Sequence, residues 1–223
     1  MKKFGAIFDF DGVLFHSEAQ HEAAWRIVAE EEKKSFSREL FLQGFGVKNE
    51  YFISKILGWS SDPQEVLRLI EKKEKIFQER LALVALQPIS GTFSFIEQLV
   101  QKGIPCAIAS SSVRKNIDVV FAPYPSLQQF FSAFVTGEDV LHGKPDPEVF
   151  VLAAKKLDLP PHSCVVFEDA FVGIEAAKNA GMKVVGLATT FSEELLLGAH
   201  PDLVVQSLGV VSYEQVSQLL YPS

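Results

Sequence analysis

Phe4–Val13 reads FGAIFDFDGV: a short apolar run, two aspartates one residue apart, then a glycine. A continuous apolar run of this length is what a strand buried on both faces of a parallel sheet looks like. In open sheets of that kind, ligands sit beyond the carboxyl ends of the strands. Three further stretches share the design. IPCAIASSS (104–112) delivers Ser110, LHGKPDP (141–147) delivers Lys144, and CVVFEDA (164–170) delivers Glu168 and Asp169, each at or just past an apolar run. If these runs are neighbours, their tips meet in one crevice holding carboxylates, a hydroxyl and one lysine.

Working outward from Gly12, the pattern changes. From about Ser17 to Leu86 the chain alternates helix-length amphipathic stretches with brief breaks, and no strand signal appears. The longest stretch starts at Asp62-Pro63, an N-cap residue followed by proline at the first helical position. This span is expected to form about four helices, inserted as residues 16–87. From Thr92 onward helix and strand alternate, with Gly103 and Gly181 closing helices. Strands are expected at IPCAIAS, SCVVF, MKVVGLA and DLVVQS, joined by a first strand over Lys3 to Phe8, with a final helix at SYEQVSQLL. The fold class is therefore α/β: a Rossmann-like, mainly parallel sheet core from residues 1–15 plus 88–223, interrupted by an all-α insertion.

Bulk properties narrow the partners. Of 223 residues, 48% are hydrophobic and 22% charged, which excludes disorder and allows a large core. The net charge of -7 and the lack of a dense Lys/Arg stretch argue against nucleic acid or an anionic membrane. Residues 16–87 hold 11 Lys/Arg and 12 Asp/Glu, leaving 10 and 16 for the rest, so the core is the acidic part. A small molecule is the expected partner, met by a monomer or weak homo-oligomer. FGAIF is interrupted at once by Asp9 and Asp11, which suits neither a signal peptide nor a spanning helix and points to the cytoplasm. Cys106 and Cys164 sit in apolar runs without ligand spacing and are expected to act as small buried hydrophobes.

The chemistry follows from residue types. In an extended segment residues two apart point the same way, so Asp9 and Asp11 share one side while Phe8 and Phe10 face the core. Two carboxylates beside a phosphate repel it and each other unless a cation intervenes. Hard oxygen donors, namely Asp9, the main-chain carbonyl of Asp11, and Asp169, suit Mg²⁺, with Glu168 supporting its waters from behind. Asp9 is then the nucleophile, forming an aspartyl-phosphate, and Asp11 the acid and base. Lys144, in a proline-stiffened loop, aims its ammonium at the phosphate and Asp9. Ser110, with the amide of Ser111, is expected to hold the transferring oxygens; Ser112 either joins them or caps a helix starting at Val113. Arg114 either touches the substrate or is solvated.

FDFDGVLFHSE, ASSS, GKPDPEVF and FEDAFVGIEAAKNAGM, in that order and spacing, resemble the four signature motifs of the haloacid dehalogenase superfamily, in the branch of β-phosphoglucomutase and small sugar phosphatases. The resemblance covers essentially the whole core and makes the helical insertion that branch's cap. It implies a Mg²⁺-dependent phosphatase acting on a small phosphorylated metabolite such as a sugar phosphate. Dehalogenases of the superfamily lack the second aspartate, so Asp11 speaks for phosphate chemistry. The alternative is a phosphosugar mutase. Mutases of this type carry a lysine and an arginine in a cap loop that grips a second phosphate, and the matching Gly44–Asn49 stretch has Phe45 and Asn49 there, with Lys48 as a partial substitute. His21 resembles the hinge histidine that couples cap closure to proton transfer, the other reading being a solvent-facing helix residue.

Overall fold

A computed structural model describes residues 4–221. Its centre is a six-stranded sheet in the order β3-β2-β1-β4-β5-β6, every pair parallel. The strands are β1 (Gly5–Phe8), β2 (Cys106–Ala109), β3 (Phe131–Val135), β4 (Cys164–Glu168), β5 (Lys183–Leu187) and β6 (Leu203–Val205). Lys3, where the sequence starts the first strand, lies outside the described residues. The chain runs outward from β1 to one side and then restarts at β4 on the other, so β1 marks the reversal of strand order. Crevices for ligands open at such a point.

Burial on both faces explains the apolar runs. Ala6 and Phe8 pack into one layer and Ile7 into the opposite one, as a period of two requires. Phe8 stacks on Phe167 of the neighbouring β4 at 4.5 Å between ring centres, so the two strands that end in carboxylates are locked side by side. Helices α5 (Thr92–Gln101), α6 (Arg114–Phe121) and α11 (Tyr213–Leu220) cover the Phe8 face. Helices α8 (Glu148–Lys156) and α9 (Phe171–Asn179) cover the other. Short α7 (Pro125–Gln128) and α10 (Glu193–Leu197) complete the connections. Cys106 and Cys164 are buried and unpaired, as expected of small hydrophobes.

Between β1 and α5 lie four helices and no strand: α1 (Glu18–Glu31), α2 (Arg38–Gln43), α3 (Asn49–Tyr51, continued by a wider turn over Phe52–Ile56) and α4 (Pro63–Leu83). Asp62 caps α4 through its side chain, accepting from the Gln64 amide. Trp25, Phe41, Phe52, Trp59 and Leu69 form a separate core between these helices. The chain leaves and re-enters the sheet along two adjacent segments: Ile89 N–H donates to the Leu14 carbonyl at 2.9 Å and His16 N–H to the Gln87 carbonyl at 3.2 Å.

One strand departs from expectation. FSAFV, forming β3, has no counterpart among the strands predicted from sequence. It is an edge strand whose inner positions alternate with exposed or half-exposed ones, so it lacks the uniform apolar run that marks its neighbours.

Candidate active site

The carboxyl ends of β1, β2 and β4 bring Asp9, Ser110, Glu168 and Asp169 together, all buried. Lys144 arrives from the loop before α8. Its ammonium donates to Asp9 Oδ1 at 2.7 Å and to Glu168 Oε1 at 2.6 Å, with its side chain almost wholly enclosed. Burial opposes that charge, and the two carboxylates overcome it, holding the Lys144 pKa above the ordinary lysine value. Glu168 is fixed further by the Ala170 N–H at 2.6 Å.

Asp9 itself is pushed up to about 7, chiefly by burial and, in the same direction, by Glu168 and Asp11, with Lys144 pulling the other way. Asp169 is raised well above the usual carboxylate range, again first by burial and then by Glu168 and Asp9. Negative charge is therefore in excess here. Asp9, Glu168 and Asp169 each offer an oxygen within 4.8 Å of the others. Asp169 Oδ2 accepts from the Thr190 hydroxyl, whereas Asp169 Oδ1 is buried with no hydrogen-bond partner. Such an orphaned carboxylate oxygen is a costly arrangement unless something positive takes it. Three carboxylates, one of them with an orphaned oxygen, fit a hard divalent cation. Gly12 permits this closeness: its φ is +77°, and a Cβ there would fall 1.9 Å from Asp169 Oδ2.

Asp11 has a different environment from Asp9, two residues away. Its Oδ1 accepts from the Ser17 hydroxyl at 2.6 Å and lies 3.0 Å from His21 Nε2; its Oδ2 accepts from the Ser112 hydroxyl at 2.5 Å. Burial works against the charge, but His21, Ser112 and Ser17 together hold the Asp11 carboxyl below the ordinary range. Two neighbouring carboxylates thus differ in proton affinity, a pattern that separates chemical roles.

The serine loop spreads its contacts. The Ser110 hydroxyl accepts from the Ser112 amide at 3.1 Å, and the Ser111 hydroxyl donates to the Gly46 carbonyl of the helical insertion at 2.7 Å. Ser112 does not cap a helix: α6 starts at Arg114, and the Ser112 hydroxyl is taken by Asp11. His21 is not solvent-facing; it is buried, stacked 3.9 Å from Phe77, with Nδ1 3.0 Å from Lys73 Nζ.

Two predicted cations lie elsewhere. Lys48 donates to the Val140 carbonyl at 3.0 Å and packs its stem on Gly143, outside the cavity between sheet and insertion. Arg114 is half exposed, paired with Asp118 at 2.9 Å and laid over the Phe134 ring. Residues that no sequence pattern assigned to the site take their place: Ser17 and Thr190 as partners of the aspartates, and Lys73 and Glu74 on the cavity wall.

Comparison with known proteins places this geometry in context. A family model described as haloacid dehalogenase-like hydrolase matches residues 5–181. The chain is similar to the chloroplastic 5-amino-6-(5-phospho-D-ribitylamino)uracil phosphatase of Arabidopsis thaliana, 36% identical over 217 residues covering 96% of the chain and 57% of that protein, so it spans little more than half that relative's length. It is also similar to the β-phosphoglucomutase of Bacillus subtilis (strain 168), 31% identical over 216 residues, 93% of the chain and 91% of the enzyme. Among solved structures, a family IA, variant 3 hydrolase from Entamoeba histolytica superposes with a TM-score of 0.87 at 26% identity, covering 97% and 99% of the two chains.

Proposed function

Because the chain belongs to the haloacid dehalogenase-like hydrolases, we propose that it is a phosphatase that removes phosphate from a small phosphorylated metabolite through an ester formed on Asp9. In this reading residues 16–87 are a cap over the α/β core of residues 1–15 and 88–223. The observation that carries it is the convergence of Asp9, Lys144 and the orphaned Asp169 oxygen on one buried point, with Asp11 held apart by its own hydrogen bonds.

Asp9 and Asp169, with the Asp11 main-chain carbonyl, would hold Mg²⁺, with Glu168 behind them; bound there, the ion supplies Lewis-acid neutralisation of phosphate charge. Lys144 orients Asp9 and presents its ammonium to the phosphate oxygens. Asp9 bonds to phosphorus as the bond to the leaving oxygen breaks. Asp11 serves as base toward the water that cleaves the aspartyl ester: its three hydrogen bonds hold it ionised and oriented, and the nearby negative phosphate offsets the loss of basicity they cause. Its acid role toward the leaving oxygen needs a proton, and the approach of the negative phosphate raises its affinity for one. Ser110 and the Ser111 amide line the place of the transferred oxygens, and closure of the helices overhead keeps bulk water out.

A phosphosugar mutase is the second reading, favoured by the similarity to the Bacillus enzyme. The placement of Lys48 outside the cavity weighs against it, since that lysine was the remaining candidate to grip a second phosphate. The phosphatase relative suggests a phosphorylated ribityl compound as one candidate substrate. A cytoplasmic setting belongs to the same proposal, supported by the two free buried cysteines. The test is phosphate release from a panel of phosphorylated metabolites with Mg²⁺ and again with chelator. Release that depends on Mg²⁺ and vanishes in Asp9→Asn is expected; a folded protein that releases none sinks the reading.

A further inference from the structure

A partly open cavity of about 60 Å³ lies between sheet and insertion, lined from both sides. Its floor is the carboxylate and serine cluster described above. Its far wall has a different composition. Trp25, Phe45 and Phe52 offer aromatic surface, and beside them lie Asn49, Lys73 and Glu74.

The charges of this wall are already spent on one another. Lys73 is the only lysine or arginine lining the cavity among the described residues. It is almost fully buried, donates to Glu74 Oε1 at 2.9 Å, and has its other polar contact with His21 Nδ1 at 3.0 Å. Glu74 accepts in addition from Asn49 at 2.7 Å and from the Asn116 amide at 2.6 Å. Burial opposes ionisation of Glu74, yet Lys73 and Asn116 outweigh it, leaving the carboxyl below its ordinary value. The wall therefore carries no surplus positive charge.

A second phosphate placed there would meet a carboxylate and no uncommitted cation. Salt screens such a buried encounter poorly. An uncharged group is another matter. Asn49 Oδ1 accepts no hydrogen bond among the described residues, and the Glu74 carboxylate can take a further donor. Aromatic surface next to these acceptors suits a flat ring edged with N–H or O–H groups.

We propose that Asn49, Glu74 and the adjoining aromatic wall form a specificity site for the leaving group, selecting phosphomonoesters whose distal part is an uncharged ring bearing hydrogen-bond donors, and rejecting bisphosphates. This rests on the phosphatase reading and deepens it. Lys73 acts as a positioning residue, holding the Glu74 carboxylate in place.

Calorimetric titration of the Asp9→Asn variant of the 223-residue chain with Mg²⁺ tests it, using two matched pairs: fructose 6-phosphate against fructose 1,6-bisphosphate, and uridine 5′-monophosphate against ribose 5-phosphate. The bisphosphate should bind at least tenfold more weakly than the monophosphate, and the nucleotide at least threefold more tightly than the bare sugar phosphate. Glu74→Gln in the same background should shrink the first ratio to within threefold. Because that change touches buried partners, Asn49→Asp serves as the second variant and should enlarge the ratio instead. Equal or tighter binding of the bisphosphate, no gain from the ring, no binding by any of the four, or a ratio unmoved in both variants overturns the proposal. Wild-type turnover is read separately: absent phosphate release with this binding order intact defeats the phosphatase reading and leaves the specificity site standing.

Discussion

Asn116, on the core helix that follows the serine loop, donates its amide to Glu74 at 2.6 Å and accepts from Gln78 at 2.9 Å, clasping two residues one turn apart on the long helix of the insertion. A single core side chain thereby ties the sheet's serine loop to the roof of the cavity. Asn116→Ala removes both bonds and leaves a buried Glu74 oxygen without its donor. A buried acceptor stripped of its partner costs about 1–3 kcal/mol. Urea unfolding should register a loss of that size, with faster proteolysis at the linkers near residues 16 and 87; a variant as stable as the parent would show that the clasp holds nothing.

If the carboxylate cluster holds Mg²⁺ as proposed, stability should depend jointly on pH and on that ion. Asp9 titrates ordinarily at 3.8 and is pushed up to about 7 by burial, and Asp169 is raised as well. Between those values the unfolded chain has already lost the proton that the native state keeps, so ionising these groups costs native stability as pH rises from about 4 to 7. Cation binding relieves that cost, and it competes with protons when pH is low. Melting temperature should therefore rise with 5 mM Mg²⁺ by several degrees at pH 8 and by clearly less at pH 5, roughly tracking deprotonation of Asp9. Equal shifts at the two pH values would mean that the ion is held elsewhere.

Lys48 and Arg114 should be dispensable for turnover, because neither reaches the cavity: one is bound to the Val140 carbonyl and the other to Asp118. Lys48→Ala and Arg114→Ala are each expected within about threefold of the parent in kcat/KM, a change under about 0.7 kcal/mol in transition-state stabilisation. A loss of a hundredfold in either would return that residue to the site and, for Lys48, revive the mutase reading.

The sheet was legible where apolar residues run unbroken and the site where strand ends carry it. FGAIF, CAIA and CVVF are enclosed on both faces, so their apolar composition alone marks them as strands. Phe131–Val135 is half open at the sheet's edge and gives no such mark. Lys73 did leave a trace: Val66, Leu69, Phe77 and Leu81 are the buried stripe of α4, and Lys73 occupies the same stripe as a charge where a hydrophobe belongs. Ser17 and Thr190 left none, since they meet the aspartates only through the path of two turns. Lys48 lies outside the cavity, and Arg114 takes the solvated alternative of its two readings. Long flexible side chains near a motif look like ligands in sequence, and only packing decides which way they reach.

Lys144 offers the sharpest separation of structure from catalysis. Its ammonium is the direct neighbour of Asp9 and Glu168, and Glu168 is completely buried. Lys144→Met removes the charge and keeps most of the volume, leaving Glu168 with the Ala170 amide as its remaining hydrogen-bond donor. Breaking a buried pair by deleting one partner typically costs about 3–5 kcal/mol, more than the pair itself contributes, because the survivor stays desolvated. Pairing the change with Glu168→Gln removes the stranded charge. The double variant should recover at least half of the lost stability in urea unfolding while remaining as inactive as the single one, since nothing then orients Asp9 or faces the phosphate. Recovery of turnover along with stability would show that Lys144 serves the fold and that the chemistry proceeds without it.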